Sequence, residues 1–167
     1  MTLDVPPGGL PISQIACVVH DLEATMEHYH RVLGWGPWSV YEHVAPSLHD
    51  THYRGRQVAY SMLGAEVQAG PVQFELLQPL EGPSIYRDWL DEHGEGLHHL
   101  AVMRHTRQES DALKASFAAQ GITPLMGGRI GEKIEFYYLD TAPLLKVIIE
   151  SGSGHAIDLQ PVRRYPG

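Results

Sequence analysis

The sequence has a single cysteine, Cys17, among its 167 residues. One thiol per chain excludes an intrachain disulfide framework and any zinc site built from several cysteines. No apolar run approaches the roughly 20 residues that a helix needs to cross a bilayer, and the first residues lack the charged and apolar regions of a signal peptide. We therefore expect a globular protein of the cytoplasm that does not enter a membrane.

Basic residues are also scarce. The 12 lysines and arginines occur as singles and pairs, and the formal net charge is −8 at pH 7. A nucleic-acid partner needs a concentrated positive face, so we do not expect one. The sequence has no glycine-rich phosphate loop and no serine–histidine–aspartate order typical of hydrolases. It does contain 11 histidines, enough for a metal site or an acid–base site.

The spacing of apolar residues predicts two similar halves. An irregular arm over residues 1–11 precedes the first βαβββ module, residues 12–82. In this module a β-branched run predicts a buried strand at residues 12–19, and helical spacing predicts a helix at residues 21–33. Three further strands are predicted at residues 38–44, 58–63 and 72–78.

The same order of elements recurs after a bridging helix and loop at residues 83–96. The second βαβββ module spans residues 97–151, and an irregular tail follows at residues 152–167. Each module is too small to be stable alone, so we expect one α+β structural domain. The elements predicted in the second module are strands at residues 97–103, 122–126, 134–139 and 144–150 and a helix at residues 109–119.

Four polar residues interrupt the predicted strands. Gln14 and His99 lie in the first strand of each half, and Glu75 and Glu150 lie in the last. A buried carboxylate is costly unless it is paired, hydrogen-bonded or bound to a metal. Two glutamates, a histidine and a glutamine are ligands that suit a divalent ion. The alternatives are carboxylates at strand edges, a core histidine and a hydrogen-bonded glutamine.

Five segments carry a family resemblance, namely QIACVVHDL at 14–22, YHRVLGW at 29–35, ELLQPL at 75–80, GEGLHHLA at 94–101 and VIIE at 147–150. Together they resemble the vicinal oxygen chelate superfamily, which includes glyoxalase I, methylmalonyl-CoA epimerase, extradiol dioxygenases and bleomycin-resistance proteins. The resemblance covers roughly residues 12–151 and is closest to the epimerase-like branch. It implies a homodimer and a mixed sheet that curves around a metal-binding cavity.

The resemblance also implies a ligand set, namely Gln14, Glu75, His99 and Glu150. These would hold one divalent ion, such as zinc, cobalt, nickel, manganese, iron or magnesium. Epimerases of this branch usually have histidine and glutamine at the first two ligand positions, so this set is more similar to that of some glyoxalase I enzymes. An ungapped count from Glu75 places the further glutamate of the epimerases at Val58, and we expect that carboxylate to be absent.

The predicted function is a metal-dependent epimerase or racemase. Glu75 and Glu150 would remove and return a proton alpha to the carbonyl of an acyl-CoA or another small enolisable compound. Return of the proton to the neighbouring carbon would instead give glyoxalase I-type chemistry on a hemithioacetal. A dioxygenase needs a second histidine ligand, and a ligand-sequestering protein of the bleomycin-resistance kind would lack the metal.

The other histidines are not expected in the cluster. His98 alternates to the opposite strand face from His99, where it would pack or support the site. His43, His49 and His52 flank a predicted loop, and we expect them at the surface.

Overall fold

The computed structural model describes residues 7–154 and 159–167. Over these residues the elements follow in the order β1 (Gln14–Val18), α1 (Leu22–Leu33), β2 (Trp38–His43), β3 (Leu48–Tyr53), β4 (Arg56–Gln57), β5 (Met62–Ala69), β6 (Val72–Pro79), α2 (Ile85–His93), β7 (Gly96–Ala101), α3 (Arg107–Ala119), β8 (Pro124–Ile130), β9 (Ile134–Leu139), α4 (Ala142–Leu145), β10 (Ile148–Ser153) and β11 (Arg163–Tyr165). None of these helices is both long enough and apolar enough to span a membrane.

The strands form one open, curved sheet in the order β11-β2-β5-β6-β1-β7-β10-β9-β8-β3-β4. The first strands of the two halves, β1 and β7, lie side by side and antiparallel at its centre. Each is flanked by the last long strand of its own half in parallel, β6 beside β1 and β10 beside β7. The prediction of an α+β fold with a curved mixed sheet is therefore confirmed.

One hairpin leaves its own half of the sheet. Strand β3, with the short β4, pairs with β8 at the far end of the second half. Two residues of this hairpin are anchored to α2, because the Tyr53 hydroxyl and an Arg54 N–H both donate to Asp88 Oδ2, at 2.7 and 2.9 Å. The prediction of a loop at residues 45–53 is therefore wrong for residues 48–53, which form β3. The mostly polar sequence of this segment hides a strand that lies near the sheet edge, where an apolar alternation is not needed.

Two predicted strands, at residues 58–63 and 122–126, end too early because the glycine that follows each was interpreted as the start of a turn. In place of the first, β5 runs on to Ala69 and pairs with β6, and only Gly70 and Pro71 form the turn. Gly127 and Gly128 lie inside β8 rather than in a turn. A Cβ on Gly127 would lie 2.8 Å from the carbonyl oxygen of Phe136. At this position glycine therefore serves close packing of strands rather than chain reversal.

The end of the second half also differs from the prediction. Residues 142–145 form the short α4, so β10 begins at Ile148 and continues to Ser153. The tail contains β11, which pairs with β2 at the edge of the first half. Residues 1–6 of the predicted arm and residues 155–158 of the tail lie outside the described residues.

The two faces of the sheet have different surroundings. Against the outer face packs α1, through Leu22 and Met26, into a cluster with Trp38 and other apolar residues. The helix begins after Asp21, whose carboxylate accepts from the N–H of Ala24 at 3.0 Å. The inner face is apolar toward α2 but carries the glutamates of β6 and β10 at the sheet centre. Helix α1 therefore stabilises the sheet from outside, whereas α2 packs against the inner face beside the site.

A glycine in β10 gives a test of this packing. A Cβ on Gly152 would clash with the backbone carbonyl oxygen of Glu135 in β9, and backbone cannot move aside without disrupting the β9–β10 pairing. We expect Gly152→Ala to lower the free energy of unfolding by about 3 kcal/mol in chemical denaturation. The matched control is Gly121→Ala, where φ is +76° and a Cβ would meet open space, so that the loss should be only about 1 kcal/mol. Equal losses would contradict the packing argument.

Candidate metal centre

Strand register brings three of the predicted ligands together. Glu75 on β6 and His99 on β7 both lie opposite Ala16 of the central β1. Glu150 on β10 lies opposite Ala101 of β7. The Nε2 atom of His99 is 3.1 Å from Glu150 Oε2 and 3.7 Å from Glu75 Oε2. One donor atom from each of these three side chains lies within 4.8 Å of the others.

Burial of these charged groups destabilises the fold when no cation is bound. His99 is fully buried, and Glu75 and Glu150 are only 7% and 8% exposed. Among the described residues, His99 Nε2 has no hydrogen-bond partner of good geometry, although it lies close to both carboxylates. A buried polar atom without a partner costs free energy, whereas a divalent ion would engage all three donors. The donor set and its spacing therefore fit a divalent ion.

The charges in the cluster shift its pKa values. Burial lowers the pKa of His99, but the carboxylates of Glu150 and Glu75 outweigh burial and raise that pKa to about 9. Burial raises the pKa of Glu75, an effect that His99 opposes and Glu150 reinforces. A metal ion bound here must displace the proton of His99, because only the neutral imidazole is a ligand.

Gln14 lies beside the cluster and lines the same cavity. Its amide nitrogen donates to Gln73 Oε1 at 2.7 Å, and Gln73 Nε2 donates in turn to Glu66 Oε2 at 2.9 Å. These hydrogen bonds engage the amide nitrogen of Gln14. Its side-chain carbonyl oxygen is therefore the atom that can face a cation. The role of Gln14 as a ligand stays a prediction.

Glu66 is a carboxylate that the sequence analysis missed. It lies on β5 directly opposite Glu75 on β6, and it lines the cavity with Glu150. Burial, reinforced by the charges of Glu75 and Glu150 and opposed by the hydrogen bond from Gln73, raises the pKa of Glu66 to about 8. The ungapped count pointed to Val58, which lies outside the strands. The expected absence of the epimerases' further glutamate stays a prediction, and Glu66 is a cavity-wall carboxylate that the count did not include.

His98 contacts the cluster on the side of α2. Its Nδ1 atom is 2.8 Å from Nδ1 of His99, so the two rings share one hydrogen bond. Burial, with the charge of His99, lowers the pKa of His98, and the ring packs edge-on against Tyr86 and Trp89. When Nε2 of His99 faces a cation, its Nδ1–H donates to His98. That hydrogen bond fixes the orientation of the His99 ring.

The cavity in front of the cluster has a volume of about 620 Å³, which suits a small organic ligand. His43 lies in its wall and is 6% exposed, so its predicted surface position was wrong. Burial lowers the pKa of His43 to about 4, which keeps the ring neutral. Gly64 makes room here, because a Cβ would lie 3.3 Å from His43 Nε2 and 3.6 Å from Glu75 Oε1. His49 and His52 lie on β3 and are not among the residues of this wall.

The fold and the cluster define a protein of paired βαβββ halves around a buried glutamate–histidine site. Residues 13–138 match the Glyoxalase/Bleomycin resistance protein/Dioxygenase superfamily. The chain belongs to this superfamily, and the resemblance found in the sequence is confirmed. No curated protein matches the chain significantly.

Solved structures similar to this chain include several methylmalonyl-CoA epimerases. The enzyme from Mycobacterium tuberculosis is 21% identical with a TM-score of 0.62, and the alignment covers 86% of this chain and 87% of that one. A methylmalonyl-CoA epimerase in complex with methylmalonyl-CoA and ammonium is 25% identical with a TM-score of 0.56, covering 90% and 97%. A variant of the Streptomyces coelicolor enzyme with 2-nitronate-propionyl-CoA is 25% identical with a TM-score of 0.57, covering 87% and 95%.

Removal of one donor should weaken metal binding. We expect His99→Ala and Glu150→Ala each to weaken Co²⁺ binding by more than about a hundredfold, because each leaves the ion one ligand short. Elemental analysis after dialysis and calorimetric titration would measure the loss. His43→Ala is the control, since it removes a buried histidine of the same cavity and leaves the cluster intact. Equal occupancy in all three variants would contradict the assignment.

The pKa shifts predict how pH affects the site. The raised pKa of His99 means that its pairing with the carboxylates stabilises the metal-free fold below about 6.5 and is lost as pH rises through about 9. Glu66, with its pKa raised to about 8, destabilises the metal-free fold increasingly above pH 4.5. Both shifts act in the same direction, so the metal-free protein becomes less stable as pH rises.

We therefore expect the gain in melting temperature on addition of Co²⁺ to increase from pH 6 to pH 8. Affinity should rise about tenfold per pH unit for each proton displaced. Calorimetric titration in buffers of different ionisation enthalpy would count the protons released. An affinity that does not change over this pH range would show that His99 carries no proton to displace.

Proposed function

We propose that this chain is a divalent-metal-dependent epimerase or racemase, which removes and returns a proton alpha to a carbonyl. The observation that supports this most is the presence of three carboxylates, Glu66, Glu75 and Glu150, in the wall of one cavity around His99. The structural similarity to methylmalonyl-CoA epimerases adds support. The proposed substrate is an acyl-CoA thioester or another small enolisable carbonyl compound.

The ligands in this proposal are Glu75, His99 and Glu150, with Gln14 as a fourth. A divalent ion held by them would polarise a carbonyl or enolate oxygen and so acidify the adjacent C–H. The hydrogen bond from His98 would keep the His99 ring aligned. Apolar residues of the cavity wall, such as Leu77 and Phe136, would exclude water from the developing charge.

Epimerisation needs a base on each side of the reacting carbon. Among the carboxylates of the described cavity wall, Glu150 comes from the second half of the chain and Glu66 and Glu75 come from the first. The sequence-based assignment of Glu75 stays a prediction. Glu66 is the stronger candidate, because it lies outside the ligand cluster and its pKa of about 8 is close to the operating pH. We therefore favour Glu66 and Glu150 as the proton-transfer pair.

A glyoxalase I-type isomerase is the second candidate function. It would use the same cavity and ligands, and only the carbon that receives the proton would differ. The Gln/Glu/His/Glu set favours it, whereas Glu66, a cavity-wall carboxylate outside the ligand cluster, favours epimerisation. A sequestering protein would have no use for buried carboxylates that must be neutralised. The predicted homodimer remains a prediction.

Three single substitutions distinguish the bases. Glutamine keeps an oxygen that can ligate but cannot accept the proton. In deuterium oxide, we expect Glu66→Gln to slow exchange at the alpha carbon of one enantiomer of an acyl-CoA thioester by roughly a hundredfold, and Glu150→Gln to do so for the other enantiomer. Glu75→Gln should affect both enantiomers equally if Glu75 is only a ligand. Mass spectrometry of the recovered enantiomers measures each rate.

The control for the charge change is Glu42→Gln, since Glu42 is exposed on β2. Metal content is measured in every variant, so that a lost ligand is not mistaken for a lost base. If Glu75→Gln rather than Glu66→Gln shows the preference for one enantiomer, Glu75 is the base. Wild-type exchange at background rate with metal bound, over acyl-CoA, keto and hemithioacetal substrates, would overturn the proposed function.

A further inference from the structure

The strand register extends a line of polar residues from the cluster to the edge of the sheet. Glu75 lies opposite Glu66, Glu66 lies opposite Ser39 on β2, and Ser39 lies opposite Arg164 on β11. Side chains at directly opposed positions project from the same face of a sheet. Arg164, Ser39, Glu66 and Glu75 therefore lie along one row on the inner face.

A second cavity follows this row outward from the cluster. Its volume is about 370 Å³, and its wall includes Arg164, Ser39 and Gln160. Glu66 and Gln73 belong to the walls of both cavities. A ligand with its reacting end at the cluster can thus extend past Glu66 toward the sheet edge.

Arg164 supplies the positive charge in the wall of this second cavity. Among residues 7–154 and 159–167, it is the only lysine or arginine in the wall of either cavity. One of its N–H groups donates to Ser39 Oγ at 3.3 Å, and none of the described carboxylates forms an ion pair with it. Its neighbour Arg163, on the opposite face of β11, pairs with Glu23 of α1. The Arg164 guanidinium therefore keeps donors for a ligand, and its planar fork suits a carboxylate or a phosphate.

The spacing of strands sets the length of such a ligand. Arg164 is three strands away from Glu75, which corresponds to roughly 14 Å along the sheet. The length of the arginine side chain shortens the gap that the ligand must span. An anionic group roughly 10 Å from the reacting carbon would reach the guanidinium.

We propose that the substrate carries a second, anionic group, a carboxylate or a phosphate, which Arg164 binds while the enolisable end lies at Glu66 and Glu75. This inference rests on the proposed function for the position of the reacting end. The anion site itself is remote from the metal ligands, so the two can be tested separately.

The test compares two matched pairs of probes. S-propionyl-4′-phosphopantetheine and S-propionylpantetheine differ in a terminal phosphate, and 2-oxodecanedioate and 2-oxodecanoate differ in a terminal carboxylate. Calorimetric titration of Co²⁺-loaded wild-type protein should show at least about tenfold tighter binding of the anionic member in one pair. The pair that shows the preference identifies which anion the site takes.

Arg164→Gln should reduce that preference to less than about twofold, and Arg164→Lys should leave an intermediate preference, since lysine retains the charge without the fork. Arg163→Gln is the matched control, because it removes the same charge from the neighbouring position and should leave the preference unchanged. Melting temperatures verify that the variants are folded. Equal binding within both pairs by the wild type, or a preference that survives in Arg164→Gln, would overturn the anion site.

The proposed function fails by a different outcome. If the anionic preference depends on Arg164 but no substrate exchanges deuterium, the anion site is correct and the epimerase assignment is wrong. If exchange occurs but the anionic and neutral members of each pair bind equally well, the epimerase assignment holds and the anion site is wrong. The titrations are then repeated after the metal is removed by chelation. The binding preference for the anionic probe should persist, because the contribution of Arg164 does not require the metal.

Discussion

The antiparallel pairing of β1 with β7 is the constraint on which the site depends. It places the small side chain of Ala16 between Glu75 on one neighbouring strand and His99 on the other. A larger residue at this central position would fill the space in which the donors meet. A slip of the register by one residue would turn His99 to the outer face. The pairing shifts register between Ala16 and Cys17, directly beyond the position that forms the site, and then continues with Cys17 opposite Leu97.

The buried charges at the centre of the sheet lower the stability of the metal-free fold. Glu66, Glu75 and Glu150 share one cavity wall. Burial and the neighbouring negative charges raise the pKa values of Glu66 and Glu75 and so favour their protonated forms. His99 offsets part of this charge and is itself held protonated by its neighbours. A divalent ion would replace these protons and remove the repulsion. The cost of the cluster in the metal-free chain is therefore the source of its affinity for a cation.

Local sequence patterns predicted the helices and strands that bury an apolar face. They failed for strands whose position depends on pairing with a distant part of the chain. Helix α1 and strands β1, β6 and β9 were predicted close to their observed bounds. The candidate ligands on β6, β7 and β10 were found as polar residues in apolar strands. Strand β3 was missed because it is mostly polar and pairs with a distant part of the chain. Glu66 was missed because its position depends on the length of the β5–β6 hairpin. The turn at Gly70-Pro71 between two alternating runs was the signal that could have located it.

The proposed chemistry and the proposed substrate recognition come from different parts of the chain. The superfamily match ends at residue 138, and Glu150 follows it in the last strand of the second half. Arg164 lies beyond both halves, on the edge strand β11, which pairs only with β2. Three strands, β2, β5 and β6, separate β11 from the central β1–β7 pair, so a change of side chain at Arg164 leaves the β1–β7 pairing unchanged. The register nonetheless aligns Arg164 with Glu66 through Ser39. Substrate preference can therefore change at the edge of this sheet while the reacting groups at its centre stay in place.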